Sequence, residues 1–160
     1  MIRRVALAFL AALALSPAPV AAEEFTSYAL VREDGSMVIE GRVVRLFGIY
    51  IPDTGVTCRT ISSPAQCGTR AALALEFKTG SHFVTCREVE AFSDGSISAV
   101  CWTWEDEEDL AAYLIRQGWA LARPEAPFEY AALERIAERQ GLGVWGFQVD
   151  EFRFRKRRHW

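Results

Sequence analysis

Apolar and polar residues alternate in part through SYALVREDGSMVIEGRVVRLFGIYIP, residues 27–52. With its β-branched content, this pattern predicts three strands joined by turns at Asp34–Gly35 and Glu40–Gly41. TGVTCRTISSPAQ then reads as a turn-rich loop. From about Gln66, CGTRAALALEFKTG predicts a short helix closed by Gly80. SHFVTCREVEAFSDGSISAVCWTW predicts a hairpin turning at Ser93–Asp94–Gly95. EDEEDLAAYLIRQGWA predicts a second helix with Leu110, Tyr113, Leu114 and Trp119 near one face. PFEYAALERIAERQGLGVW predicts a last helix with Tyr130, Leu133, Ile136 and Ala137 toward the core. No internal repeat is present. Strands come first and helices follow, so the expected class is α+β, a small mixed β-barrel with helices.

The first 22 residues, MIRRVALAFLAALALSPAPVAA, belong to a different pattern. A charged start at Arg3 and Arg4, an apolar stretch from Val5 to Leu15 and the small residues Val20-Ala21-Ala22 are the parts of a bacterial secretory signal peptide. It is shorter than a confident membrane span, and no other stretch nears the roughly 18 apolar residues that a spanning helix needs. The expected organisation is a signal peptide over 1–22, one domain over 23–150 and a tail over 151–160. Export to the periplasm or beyond follows from it.

Charge narrows the partners. Without Arg3 and Arg4, 16 basic residues face 21 acidic ones, a net of −5. Five of the basic residues, Arg153, Arg155, Lys156, Arg157 and Arg158, crowd into the tail FRFRKRRHW. The body therefore repels polyanions, which argues against avid nucleic-acid binding by the domain itself. The tail interleaves aromatic and basic side chains. It is either an element for an anionic polymer, nucleic acid or polysaccharide, or for an anionic membrane surface, or else a solvated end.

Four cysteines in an exported chain suggest two disulfides. Cys86 and Cys101 are nearly equidistant from the predicted hairpin turn, so antiparallel pairing brings them face to face. Cys58 and Cys67 would then pin the loop to the start of the first helix. Zinc fits less well, because neither pair has knuckle spacing and His82 and His159 stand at no ligand spacing. The acidic run Glu105 to Asp109 lacks the spaced ligands and glycine of a calcium loop. Carboxylates at a helix start, complementing its dipole, explain it better. Nucleophilic catalysis has no support: there is no G-x-S-x-G, and His82 reads as a surface or cap residue. Trp119 and Trp145 read as core, while Trp102 and Trp104 alternate on one strand face and are open to partial exposure.

The ordered set of an Asp-Gly turn, VRLFGI-x-x-P-D, CG-x-x-A, a second Asp-Gly turn, LIRQGWA and E-x-x-A…GLGVW resembles the thermonuclease (micrococcal nuclease-like) family. The likeness runs over about residues 28–148. It implies a five-stranded OB-fold β-barrel with three helices. Active members of that family are calcium-dependent phosphodiesterases that cut DNA and RNA, with two aspartates on the ion, a glutamate on the attacking water and two arginines on the phosphate. A hard cation requires oxygen ligands, preferably anionic, and developing phosphorane charge requires cations aimed at it.

Residue by residue, the resemblance carries over little of that set. The first metal aspartate falls on Ser36 and the second on Tyr50, a phenol in place of a carboxylate. The glutamate falls on Asp53, one methylene shorter. One arginine is retained as Arg45, and the other falls on Ser96. The catalytic positions kept are thus Arg45 and Asp53, and no metal and no cofactor is expected. Tyr50 either packs the space of the ion or stands open as a stacking platform, and Arg45 and Asp53 are expected to pair. The resemblance therefore implies an exported, catalytically inactive binding or accessory module of the cell envelope, with a role near exopolysaccharide assembly imaginable. The alternative is a weak divalent-dependent nuclease using Arg45 and Asp53.

Overall fold

The computed structural model describes residues 23–55, 57–59 and 66–146. The expected signal peptide over 1–22 and the basic tail, including Arg153, Arg155, Lys156, Arg157 and Arg158, lie outside the described residues.

The strands are β1 (Glu24–Tyr28), β2 (Leu30–Val31), β3 (Met37–Ile39), β4 (Arg42–Leu46), β5 (Ile49–Tyr50), β6 (Thr57–Arg59), β7 (Gln66–Gly68), β8 (Phe83–Ala91), β9 (Ile97–Thr103) and β10 (Leu121–Ala122). Among the described residues the helices are α1 (Arg70–Thr79), α2 (Leu110–Arg116) and α3 (Phe128–Gln140), with a 3-10 turn over Gly143–Trp145. A curled six-stranded sheet runs in the order β1-β8-β9-β4-β3-β2, with β5 pairing β10 and β6 pairing β7 beside it. The molecule is α+β.

Local chemistry explains most elements. Glu40 and Gly41 both have positive φ, 51° and 77°, as a tight two-residue turn between β3 and β4 requires. The predicted hairpin is there as β8 and β9, with Cys86 opposite Cys101 and a disulfide joining them at a Cα–Cα distance of 4.1 Å. Cys58 and Cys67 are backbone partners across β6 and β7; their side chains are outside the described set. The first helix starts later than the sequence suggests. Gln66–Gly68 is strand, and α1 begins only after Thr69, whose Oγ1 accepts from Ala72 N at 3.2 Å. Cys67 and Gly68 are poor helix formers and Thr69 is a good N-cap, so the helix begins after them.

The three predicted strands are there as β2, β3 and β4, an antiparallel run joined at the two predicted turns, with a further strand, β1, ahead of them. β1 pairs with β8, not with its chain neighbour, and sets Tyr28 against Phe83 and Glu24 against Arg87. β4 and β9 run parallel, Arg45 opposite Ser98. The core lies inside the curl, where Met37, Ile39, Val44, Leu75, Val84, Leu110, Leu114 and Ile115 are fully buried. Each such side chain contributes roughly 1.5–3 kcal/mol of apolar burial. In α3, Tyr130 and Ala137 are buried and Leu133 packs against the core, but Ile136 is 43% exposed. At about 100° per residue it sits some 120° round from Tyr130, off the packed face. Trp119 and Trp145 are half-buried and not fully enclosed.

The acidic run is structural. Asp106 pairs with Lys78 and accepts from Thr103, and Glu108 pairs with Lys78 at 2.6 Å and also with Arg116. Asp109 caps α2 through Ala111 N (2.8 Å) and Ala112 N (3.2 Å), while its other oxygen accepts from Tyr130 Oη at 2.6 Å. Burial, and then this carboxylate, raise the Tyr130 phenol far above its usual pKa. One carboxylate thus starts α2 and ties α3 to it. Asp109→Ala is expected to lower unfolding free energy in urea by about 2 kcal/mol, the sum of a lost cap and a buried hydroxyl left without its acceptor. A loss under about 0.5 kcal/mol would contradict that role. His82 is a surface residue, with Nδ1 3.1 Å from Glu105 Oε2. No helix among the described residues is long and apolar enough to cross a membrane.

Candidate functional site

Two Asp-Gly-Ser turns, one leading into β3 and the other into β9, use one local device. In each, the aspartate Oδ1 accepts both the backbone N–H and the hydroxyl of the serine two residues on. The distances are 3.0 and 2.6 Å for Asp34–Ser36, and 2.9 and 2.6 Å for Asp94–Ser96. This is the Asx-turn preference of aspartate. Both serines are buried, at 6% and 5% exposure, so their hydroxyl protons are spent locally. Burial would raise the Asp34 pKa, but the Ser36 hydrogen bonds and nearby Arg32 more than offset it and hold it low. Asp94 is held low by the Ser96 hydroxyl first, with help from Arg45.

Beside the first turn lies a groove of about 560 Å³ lined by Asp34, Ser36, Arg45, Tyr50, Glu90, Phe92, Ser98, Arg123 and Glu125, among others. Three of the positions singled out from sequence, Ser36, Arg45 and Tyr50, come together there. Asp53 and Ser96 are not among the lining residues. Ser96 is enclosed in its own turn, and Asp53 Oδ1 accepts from Gly55 N at 2.9 Å on the surface. The expected Arg45–Asp53 pair is therefore replaced. Arg45 faces Asp94 Oδ2 at 3.5 Å, and its guanidinium carbon lies 5.9 Å from the Phe92 ring centre. The parallel β4–β9 register places Arg45 near the 94–96 turn, whereas Asp53 lies past Pro52 in the following segment.

Tyr50 is 52% exposed, so its ring stands open instead of packing a closed pocket. It is held by β5, where it pairs with Leu121, and Arg123 N donates to Gly48 O at 2.9 Å. That exchange delivers Arg123 and Glu125 to the groove, themselves 3.7 Å apart. Both arginines are half exposed, and their carboxylate partners are exposed and at long distance. Such pairs are worth under about 1 kcal/mol, so each guanidinium can turn toward a ligand at little cost.

Sequence reading missed Glu90, Phe92, Arg123 and Glu125. The register of β8 shifts between Glu88 and Glu90: Glu88 faces Ala99 and Glu90 faces Ser98, leaving Val89 as the extra residue. This β-bulge re-aims the strand end and brings Glu90 and Phe92 to the groove. Among the described residues, no three His, Cys, Asp or Glu side chains converge as a metal cluster. No family model matches the chain, and no curated protein matches it.

Proposed function

We propose that this chain is a thermonuclease-like OB-fold protein that has lost the metal chemistry of that family. On this reading it is exported and acts as a binding or accessory module in the cell envelope. The observation that carries the reading is the donor set around the groove. The oxygen at position 36 is a hydroxyl committed to Asp34, and position 50 presents an exposed phenol. A hard divalent cation prefers several anionic oxygens. Here Asp34 Oδ1 already accepts two hydrogen bonds from Ser36. These residues do not fit a calcium ion, and no catalytic step is assigned to one. What they offer is an aromatic face at Tyr50 flanked by Arg45 and Arg123, suited to holding a ring-bearing ligand.

A second reading, a weak divalent-dependent phosphodiesterase, is favoured by one observation: Asp34 and Glu90 line the same groove as Arg45. The experiment that separates the two is a cleavage assay on the purified protein, with single-stranded DNA and RNA across calcium, magnesium, manganese and chelator. The expected result is no cleavage above the chelator background in any metal. Metal-dependent cutting that disappears in Arg45→Ala would overturn the non-catalytic reading.

A further inference from the structure

The groove uses one end of the outward face of β8 and β9; the other end of that face carries a different surface. Along β9, Ser98 and Trp102 project to the same side by strand alternation, roughly 13 Å apart along the strand, and Trp104 follows directly after the strand's last residue, Thr103. Trp104 N donates to Phe83 O at 2.9 Å, continuing the ladder, and Phe83 is the partner of Tyr28. Tyr28, Phe83 and Trp104 thus form a row across three neighbouring strands. They are 59%, 45% and 72% exposed. The Tyr28 and Phe83 rings stack on each other, 4.3 Å between centres. Single exposed apolar residues are ordinary, but three aromatics in register are a patch that marks recognition.

Next to the row is a shallow notch of about 410 Å³ lined by Trp102, Trp104, Thr26, Thr85, Glu24 and Glu107. Its lining is amphipathic: two indoles, two hydroxyls hydrogen-bonded to each other at 2.9 Å, and two carboxylates. We propose that this notch and the aromatic row form a binding site for a neutral, hydroxyl-rich glycan chain.

Charge decides the occupant. Phosphate, sulfate or uronate groups would meet Glu24 and Glu107 and the acidic surplus of the body. Arg87, a cation beside the notch, is already placed over Trp102 at 5.7 Å and 3.7 Å from Glu24. A pyranose ring offers an apolar C–H face to an indole and hydroxyl donors to carboxylates, which accept only. A small cation would need a closed aromatic cage, and Trp104 is far too open for one.

The test is affinity electrophoresis of the purified full chain in native gels containing hydroxyethylcellulose, galactomannan or dextran, with Trp104→Ala beside it and, as a control, Phe128→Ala, an exposed aromatic of α3 that lines neither the groove nor the notch. Retardation by at least one of these polymers is expected, weakened at least tenfold in Trp104→Ala and unchanged in Phe128→Ala. Because Trp104 is exposed, its variant is expected to keep the parent melting temperature, which separates lost binding from lost fold. No retardation in all three polymers overturns the proposal. So does retardation that Trp104→Ala leaves intact, or a Trp104 effect seen only as a concentration-dependent change in mass, which would make the face a contact between copies. Cleavage of nucleic acid in the separate assay would overturn the reading of the groove and leave this site standing.

Discussion

Gly118→Ala is expected to cost about 4 kcal/mol, a large part of the stability of a domain this size. Gly118 follows α2 with φ +75°, and a Cβ there would stand 2.2 Å from Leu142 O and 2.6 Å from Leu142 C. Both atoms are backbone, so no side chain can swing away. The partner segment is equally tight, since a Cβ on Gly143 would lie 2.3 Å from Gly118 O. Across this approach Val144 N donates to Gly118 O at 2.9 Å. Adding one methyl group forces the two backbones apart, breaks that bond and lifts the 3-10 turn from the end of α2. Left-handed strain adds roughly 1–2 kcal/mol. At about 4 °C per kcal/mol the melting temperature falls by roughly 15 °C. Gly41→Ala is the control: φ is +77° but nothing lies within 4 Å, so only the strain applies. If the two variants melt together, the backbone approach is not what makes glycine necessary at 118.

Replacing both Cys86 and Cys101 by alanine is expected to remove about 3 kcal/mol. The bridge closes a 15-residue separation, and most of its effect in the chain-entropy account is on the unfolded ensemble. The two residues are fully buried, so the lost sulfur volume adds to the cost. Urea titration of the double variant against the oxidised parent measures it, and a difference under about 1 kcal/mol would contradict the estimate. The hairpin should still form below its melting point, because its ladder pairs from Val84–Thr103 to Ala91–Ile97 do not need the sulfurs. Both the rim of the groove and the aromatic row ride on this hairpin. Glycan retardation by the double variant should therefore survive at low temperature and vanish on warming before the parent's does.

The candidate site was legible only in part. Ser36, Arg45 and Tyr50 were singled out from the motif order, and the fold gathers them in one groove. Asp53 is grouped with them because the glutamate of the resembled family falls on it, yet its carboxylate turns back onto Gly55 N. Phe92 and Glu90 carried no signal of their own. What brings them in is an unpaired residue in β8, and one extra residue reverses which face every later side chain takes.

What the sequence determined by itself is local. The turns at Asp34–Gly35, Glu40–Gly41 and Asp94–Gly95, the closure of α1 at Gly80, the β8–β9 hairpin and the Cys86–Cys101 pairing all depend on residues near one another in the chain. Their side chains and allowed dihedrals suffice to specify them. Tertiary structure alone decided that β1 lies against β8, that β4 runs parallel to β9, that Arg45 faces Asp94, and that Ile136 is left outside the core. These choices follow from burying one face of every strand and helix at once. That condition is summed over the whole chain, and no single stretch contains it.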